Sequence, residues 1–319
     1  MAVAYTSTAT TSFGGTAGAA GVVQLAFDRV LEMALFAAPA VSHLADKHPT
    51  NLTTPGSTQI LQFWTDYTTD VSGATLTETV DPDSVSLGVP TSVGITLVEY
   101  GRSTQKTRAL DLFSMANVDL GVASVIARDV INTIDAVAMA KLITGTNVIY
   151  AGATATNTAT ITAAATITSQ DVREIVARME TASALYREGS LFWGGIHPKV
   201  AYDLRVEAGA NGWLIPNAYG ADQSRIWNGE LGTYEGVRFV KNPRMHNATD
   251  GASSARNYRT IFAGAQALAS SFAVEPGIVF GEVVDRLKRF RPVGWYGVGG
   301  FAIYRQDCLY RLESGSSLS

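Results

Sequence analysis

The chain has 319 residues, of which 46% are hydrophobic, so it has ample apolar content for a buried core and is not a disordered protein. Only 16% of the residues are charged and the formal net charge is -4, which argues against tight, direct binding of a nucleic-acid backbone. No apolar run reaches the roughly 18 residues that span a bilayer, and the N-terminus lacks the basic segment of a secretion signal.

A surface with so few charges is typical of a protein that buries large flanks against copies of itself, although a neutral monomer can have the same composition. The single cysteine, Cys308, lies in the strand-like run 302–312 and cannot form an intramolecular disulfide, so we expect a buried, inert thiol. These signs favour a soluble, unexported protein in a reducing compartment.

The N-terminal segment predicts an arm followed by a helix. Residues 1–21 are mainly Thr, Ser, Ala and Gly, so this segment cannot offset its own ordering entropy without a partner. Residues 22–36 form an amphipathic pattern that predicts a helix ending near Pro39, and residues 40–47 predict one more helical turn before His48.

An alternating strand and a long polar link indicate a projecting β-hairpin. The run 60–64 is short, apolar and aromatic, and large apolar residues recur at every second position over 93–97, as in a strand with one buried face. This second strand is predicted to close at residues 99–102. The link, residues 65–90, is rich in Thr, Asp, Gly and Ser, and a monomer gains little from a loop of this length.

Residues 118–143 predict a long helix. Their large apolar side chains fall three to five positions apart without an intervening proline, and about 26 helical residues would span roughly 39 Å. Asp119 in the first turn and Lys141 in the last suit the helix dipole, and Gly145 offers a left-handed stop. Such a helix is well beyond the average length of about 11 to 12 residues.

Shorter elements follow the long helix. Residues 151–169, a Thr/Ala tract of low complexity, predict a β-rich loop. Ser169 is the predicted N-cap of a second helix, with Asp171 and Glu174 behind it and apolar positions through Met179.

The last third of the chain mixes strands with one further helix. His197-Pro198 predicts a helix that runs to about Val206, with proline in its first turn, and Gly209 ends it. Further strands are predicted at residues 191–193, 236–240, 260–263 and 295–310. Because the regular spacing of a doubly wound sheet is missing, the sequence predicts the α+β class.

The sequence carries no pattern typical of an enzyme. It contains no Walker phosphate loop and no HExxH, CxxC, GxSxG or EF-hand spacing. The glycine cluster 294–300 does not open a helix after a strand, so strand twists or bulges explain it better than a dinucleotide site. We therefore predict no catalytic residue and no cofactor-binding residue.

Two groups of side chains have ligand chemistry but a simpler explanation. His43, Asp46 and His48 lie in one short segment, and a helix-ending turn fits better because a zinc site would need ligands from elsewhere. Asp66 and Asp70 lack the glycine-framed acidic loop of a calcium site. The sequence therefore predicts no metal ligand.

One basic cluster is present near the C-terminus. It consists of Arg286, Lys288, Arg289 and Arg291 in a predicted strand. A solvated strand, or one that forms salt bridges between subunits, fits this cluster better than a contact with DNA.

The order of these parts resembles the major capsid protein of tailed bacteriophages, the Hong Kong 97 type of shell fold. Residues 76–83 (Leu-Thr-Glu-Thr-Val-Asp-Pro-Asp) and 95–101 (Ile-Thr-Leu-Val-Glu-Tyr-Gly) are similar to its extended hairpin loop. Residues 142–152 are similar to its spine-helix exit, and residues 194–198 with 234–240 are similar to its middle domain. The resemblance covers nearly the whole chain.

The resemblance implies an α+β subunit with several segments. These are an N-terminal arm and first helix (1–54), an extended hairpin loop (55–104), a peripheral domain with the spine helix (105–168), an axial domain (169–285) and a C-terminal strand that returns to the peripheral and axial domains (286–319). It also implies hexamers and pentamers that close in the host cytoplasm into an icosahedral virion head. Such a head would enclose double-stranded DNA without sequence-specific binding, and no membrane would be involved.

Two features depart from some members of that group. Residues 60–97 contain no lysine, so we expect no isopeptide crosslink through the hairpin loop. The chain starts directly on the arm, so a separate scaffolding protein, or none, is expected, with portal and decoration proteins as further partners.

Two alternatives remain open at this point. A bacterial encapsulin-type nanocompartment shares the fold but encloses cargo enzymes, and it ranks second because the hairpin matches the phage proteins better. An unrelated α/β enzyme or ligand-binding protein would need a pocket with convergent polar groups, to which nothing in the sequence points.

Overall fold

The computed structural model describes most of the chain beyond the N-terminal segment. The described residues are 39–50, 57–64, 74–76, 78–81, 89–113, 118–152, 155–207, 230–283 and 285–318. The predicted arm (1–21), the predicted helix over 22–36 and Gly209 lie outside them.

Four α-helices and thirteen strands form the described structure, which has the predicted α+β class. The helices are α1 (Arg108–Phe113), α2 (Val118–Leu142), α3 (Ser169–Thr181) and α4 (Pro198–Val206). The first seven strands are β1 (Ala45–Lys47), β2 (Thr58–Phe63), β3 (Thr91–Thr96), β4 (Val98–Thr107), β5 (Val148–Tyr150), β6 (Phe192–Ile196) and β7 (Glu230–Tyr234). The remaining six are β8 (Val237–Lys241), β9 (Asn247–Ala248), β10 (Asn257–Ala263), β11 (Leu268–Phe280), β12 (Phe290–Ile303) and β13 (Leu309–Ser314).

A long, narrow sheet occupies one part of the molecule, with the strand order β1-β11-β12-β4. β11 and β12 form an antiparallel pair of 13 and 14 residues, and β4 adds ten more residues along β12. β1 joins the other edge in parallel with the start of β11. The spine helix α2 packs across β12 and β11, and its observed bounds confirm the helix predicted over 118–143.

Two strands of this sheet differ from the sequence expectation. The prediction that the strand closes at residues 99–102 is wrong, because the chain continues there as β4 through Thr107. Most of β4 is exposed and polar, so it shows no period-two hydrophobic pattern, and its ladder with β12 holds it in place. β11 was not predicted at all, because its register shifts around Val274 and Gly277 interrupt the alternation.

The prediction of one strand over 295–310 is also wrong. β12 ends at Ile303, a short turn of 3-10 helix covers Gln306–Cys308, and β13 then begins in a different sheet. Cys308 therefore lies in this turn rather than inside a strand, although it is buried as expected. Of the basic cluster, only Arg291 lies in a strand, since residues 286–289 precede β12.

The second sheet forms the centre of the larger core. Its order is β5-β13-β10-β6-β8-β7, with β9 attached to β10. β6 is buried at every residue, and α3 and α4 contribute apolar side chains such as Ile175 and Leu204 to the core that covers it. The helix predicted to begin at Pro198 is confirmed, with the His197 ring nitrogen accepting a hydrogen bond from the Lys199 N–H.

The start of α3 differs from the prediction by one residue. Thr168, not Ser169, is the N-cap: its hydroxyl accepts from the Asp171 N–H at 3.3 Å, and the Asp171 carboxylate accepts from the Thr168 N–H at 2.9 Å. The Ser169 hydroxyl instead donates to Glu207. The preceding tract is not β-rich, because its described residues 155–168 contain no strand; they hold a short turn and the buried side chains of Ile161 and Ile167.

A buried carboxylate on the spine helix holds the backbone of residues 40–42 in place. Asp135 is 2% exposed, and it accepts hydrogen bonds of 2.8 to 3.0 Å from the backbone N–H groups of Ala40, Val41 and Ser42. The helical turn predicted over residues 40–47 is therefore only partly correct. One turn of 3-10 helix, Ser42–Leu44, follows this anchor, and the chain then extends as β1.

We expect Asp135→Ala to lower the free energy of unfolding of the unassembled subunit by about 3 kcal/mol. The substitution leaves the N–H groups of Ala40, Val41 and Ser42 without their acceptor, and the first two are buried, so the cost is large. Urea denaturation followed by circular dichroism measures the effect. The exposed Asp307→Ala is the control and should change stability by less than about 0.5 kcal/mol, and an equal effect of both substitutions would contradict the anchor.

A second buried carboxylate, Glu313 of β13, contacts four polar side chains in the larger sheet. Thr158 and Asn257 each donate to it at 2.8 Å, and the guanidinium groups of Arg259 and Arg311 lie 3.1 and 2.9 Å away. Burial acts to raise the pKa of Glu313, but the hydrogen bonds from Thr158 and Asn257 and the two arginine charges outweigh it, so the pKa lies below its ordinary value.

The lowered pKa predicts a loss of stability in acid. Above the ordinary glutamate pKa of 4.5 the ionised Glu313 contributes its full stabilisation, and that contribution disappears as the pH falls through the lower folded-state pKa. We expect Glu313→Gln to be less stable at neutral pH and to show a flatter dependence of unfolding free energy between about pH 5 and about pH 3. Parallel slopes for the two proteins would count against this role of Glu313.

Candidate assembly surfaces

The hairpin predicted from the sequence is present and forms a separate two-stranded sheet that packs on the long sheet. β2 and β3 pair antiparallel from Thr58 with Thr96 to Phe63 with Thr91, and among the described strands they pair only with each other. Ile95 of β3 is fully buried in this contact, and at the link end of the hairpin the Phe63 ring lies edge-on to Tyr304 at 5.3 Å.

Large apolar side chains remain exposed along this hairpin and its link. Trp64 is 57% exposed and Val89 is 89% exposed, although an isolated two-stranded hairpin needs packing to be stable. We call the exposed apolar set of this region the hairpin surface: Ile60, Trp64, Leu76, Val80 and Val89. A cleft of about 690 Å³ at the link end of the hairpin, lined in part by Trp64 and Leu185, continues it toward the body.

A second exposed apolar region lies at the far end of the long sheet. β11 is buried over its first four residues and largely exposed from Glu275 to Phe280, and the neighbouring α1 carries Phe113 at 84% exposure. We call this region the tip surface: Leu110, Leu112, Phe113, Val279, Phe280, Val283 and Leu287. Within the described structure these side chains remain exposed to water, so they are candidates for contact with another chain.

The small core beneath the tip surface shows what holds this end of the sheet. Ile126 of the spine helix packs against Val293 and Trp295 of β12. Asp129 of the same helix accepts from the Trp295 indole N–H and from Arg102 of β4, both at 2.8 Å. The spine helix therefore holds this end of the sheet by a few specific contacts.

The glycine cluster of β12 serves close strand packing rather than ligand binding. A Cβ at Gly294 would lie 2.5 Å from the Arg102 carbonyl oxygen, and one at Gly300 would lie 2.2 Å from the Thr96 carbonyl oxygen. Both glycines lie within a regular antiparallel strand that pairs with β4 and β11. Side chains at these positions would push the neighbouring strands away.

The structure does not assemble the histidines and aspartate of the N-terminal segment into a metal site. His43 packs edge-on to Trp193 at 5.5 Å, His48 lies beside Tyr304, and Asp46 accepts from Arg187 and the backbone N–H of Gln266. Within the described residues, no group of three or more His, Cys, Asp or Glu side chains could hold a metal ion.

Two further features bear on chemistry and location. Burial raises the pKa of the Cys308 thiol, so little reactive thiolate is present at neutral pH. In the part of the chain that the structure describes, no helix combines the length and apolar character needed to cross a membrane.

The whole arrangement is that of a phage capsid subunit. The chain is similar to the capsid of cyanophage Pam1, with a TM-score of 0.73 at 14% identity over 96% of this chain and 100% of that one. It is also similar to the capsid of cyanophage P-SCSP1u (TM-score 0.70, 14% identity, 95% and 96% coverage) and to that of Ralstonia phage GP4 (0.69, 13%, 93% and 96%). At these identities the likeness establishes the fold.

The family follows from the sequence itself. Residues 102–308 match the family described as phage capsid protein, and since this is more than half of the chain, the protein belongs to that family. No curated protein sequence matches significantly. The protein is therefore a structural major capsid protein, a component of a phage head, and the nanocompartment alternative is not favoured.

The hairpin and the basic cluster beside the tip surface were visible in the sequence, but the exposed apolar side chains of the tip were not. The hairpin gives an alternating strand and an unusually long polar link, and the basic cluster indicated a solvated strand or one that forms salt bridges between subunits. The apolar tip residues look like ordinary core residues in the sequence, and their exposure is a result of tertiary packing.

We expect the double substitution Leu112→Ser with Phe113→Ser to separate assembly from folding. Both side chains are exposed, so the unfolding free energy of the subunit should stay within about 0.5 kcal/mol of wild type while the particle yield falls. Thermal unfolding and sedimentation measure the two effects. The exposed Tyr202→Ser, outside both surfaces, is the matched control and should affect neither; normal particle yield from the double variant would exclude the tip from assembly.

Proposed function

We propose that this capsid protein assembles into hexamers and pentamers that close into an icosahedral shell around double-stranded phage DNA. The observation that carries the proposal is the hairpin surface, which the described part of its own chain leaves uncovered. Packed across a neighbouring subunit, the hairpin would bury the apolar side chains that its own chain leaves exposed.

Assembly of this kind works through repeated modest contacts. The low content of charged residues keeps the cost of burying subunit flanks small, because fewer ions must lose their hydration. Each contact recurs at every symmetry-related position, so weak pairwise contacts add up to a stable shell. The role is structural and needs no catalytic group.

The enclosed DNA is held without sequence-specific reading. A net charge of -4 leaves the subunit without the excess of cations that a phosphate-binding surface needs. The shell forms in the host cytoplasm, and its proposed partners are portal and decoration proteins with a separate scaffolding protein, or none. With no lysine over residues 60–97, we expect no covalent crosslink through the hairpin.

The segments of the chain have separate roles in this proposal. Residues 1–54 act as the arm with its first helix, residues 55–104 as the extended hairpin loop and residues 105–168 as the peripheral domain. Residues 169–285 form the axial domain, and residues 286–319 return along both domains. The arm and hairpin act between subunits, while the other segments provide the folded body.

The proposal is tested by electron microscopy and sedimentation of the purified protein, expressed alone and together with the neighbouring genes of its source. Closed shells, sheets or capsomer rings are the expected result, and the diameter and DNA content of closed particles separate a phage head from a nanocompartment. A clean monomer or dimer under both conditions would overturn the proposal.

Removing residues 1–21, or shortening the link 65–90, should leave the body folded but impair shell formation. Neither change removes a described core side chain, so circular dichroism and thermal unfolding should stay close to wild type. Electron microscopy of the particles measures the loss of assembly. Replacing the link with a flexible Gly/Ser segment of equal length is the control, because it keeps the two strands connected at the same distance. Normal particles from both truncations would exclude these segments as assembly elements.

A further inference from the structure

Arg259 of β10 holds the loop between β8 and β10 to the larger sheet. We call residues 242–256, which include β9, the β9 loop. The Arg259 side chain is 13% exposed, and its guanidinium donates to Asp250 of this loop and to Glu313 of β13. It also contacts the Nδ1 atom of His246 at 2.9 Å, and its backbone N–H donates to the His246 carbonyl oxygen at 3.0 Å. One arginine thus bonds two side chains of the β9 loop.

The contact with Arg259 fixes the protonation state of His246. A guanidinium group can only donate hydrogen bonds, so the Nδ1 atom of His246 must be an unprotonated acceptor. A protonated ring would point an N–H at the guanidinium and bring two positive charges together. Burial lowers the pKa of His246, as do the charges of Arg259 and of Arg311 in β13, while Asp250 and Glu313 oppose the shift. The folded loop therefore requires the neutral ring.

A protonated His246 has an alternative partner in Asp250. The Oδ2 atom of Asp250 accepts from Arg259, whereas its buried Oδ1 atom accepts no hydrogen bond from the described residues. A buried acceptor without a donor costs free energy, and an imidazolium N–H is a strong donor to a carboxylate. Proton uptake thus favours a shift of the His246 ring from Arg259 toward Asp250.

The two parts of the β9 loop are held differently. At its start, Met245 is buried in the core, and the guanidinium of Arg244 donates to the backbone carbonyl of Asn132 in the spine helix at 3.2 Å. Arginine keeps its charge at all relevant pH values, so this end does not respond to protons. Beyond His246, β9 pairs with β10 over only two residues. Loss of the contact between His246 and Arg259 therefore frees β9 while the start of the loop stays in place.

From this arrangement we infer that His246 is an acid-sensitive latch on β9. The neutral ring holds the loop to Arg259, and protonation releases it. Release uncovers the backbone of Asn257 and Tyr258, which β9 pairs with in the closed form, and leaves an open strand edge in the larger sheet. The latch acts within one subunit, so it goes beyond the proposed assembly and does not depend on it.

The latch loses its stabilising effect as the pH falls through the ordinary histidine range. The pKa of His246 is lower in the folded protein than the ordinary value of 6.5, so the unfolded chain takes up the proton first. The stabilisation is complete above pH 6.5 and is lost as the pH falls from there to the lower folded-state pKa. Glu313 acts in a more acidic window, below about pH 5, so the two effects can be separated.

Hydrogen exchange of the full-length subunit, measured by mass spectrometry and corrected for the intrinsic effect of pH, tests the latch. A local measurement is needed because burial also lowers the pKa values of His43 and His197. In the wild type, peptides covering residues 246–258 should exchange about tenfold faster at about pH 5.5 than at about pH 7.5, which corresponds to a pKa difference of about one. His246→Asn should remove this difference, since the asparagine Oδ1 accepts from Arg259 without titrating.

His48→Asn is the matched control and should leave the pH difference of the β9 loop intact, because the half-buried His48 ring packs beside Tyr304 outside this loop. Equal exchange of residues 246–258 at the two pH values in the wild type would overturn the latch, and this comparison holds even if the variant does not fold. A pH difference that persists in folded His246→Asn would overturn it as well.

The buried strand β6 separates local release from general loosening. An acceleration in residues 192–196 as large as that in the β9 loop would mean that the whole subunit loosens in acid, and it would overturn the latch. Unchanged protection of β6 beside a faster β9 loop is the expected result. Wild-type protein that never forms shells would refute the proposed function but leave the latch standing, since the exchange is measured on the subunit.

Discussion

The antiparallel ladder between β11 and β12 is the constraint on which the rest of the structure depends. Its two strands, of 13 and 14 residues, carry β4 on one edge and β1 on the other, and the spine helix lies across them. Close approach along β12 requires glycine, because Gly294 leaves room for the backbone of β4. The tip surface lies at the far end of this ladder, beside the contacts of the spine helix with Val293 and Trp295 and away from the main core.

Buried and half-buried carboxylates organise the places where separate parts of the chain meet. Asp135 and Asp129 lie on the same spine helix, and each accepts hydrogen bonds from distant segments. Asp135 accepts from the backbone N–H groups of residues 40–42. Asp129 accepts from the side chains of Arg102 and Trp295. Glu313 does the same in the larger sheet. A carboxylate with several donors fixes direction as well as distance, because each lone pair must be satisfied. In a shell subunit this matters, since small errors of orientation are repeated in every copy.

The sequence was informative where one physical signal dominated. The spine helix, the helix that begins at Pro198 and the β2–β3 hairpin have strong periodicity or capping, and all three are confirmed. β4 and β11 were missed because tertiary ladders, not local patterns, make them strands, and the turn at Gln306–Cys308 was missed because it holds no glycine or proline. Of the two candidate assembly surfaces, the hairpin surface was predictable, since its long polar link is visible in the sequence. At the tip the basic cluster was visible as well, but the exposure of the apolar side chains beside it was not, because it depends on tertiary packing.

The passage of the chain between the two large sheets has a mechanical consequence. β10 leads into β11 through residues 264–267, and β12 leads into β13 through residues 304–308, so both connections cross the same boundary. They are bonded side by side: the Tyr304 N–H donates to the Ala267 carbonyl, that of Arg305 to Gln266, and that of Gly264 to Cys308. Because the two short connections are bonded to each other, a two-stranded linkage rather than a single chain joins the sheets at this boundary. A load applied to one sheet is therefore passed to the other through two parallel backbone segments and the core that the sheets share.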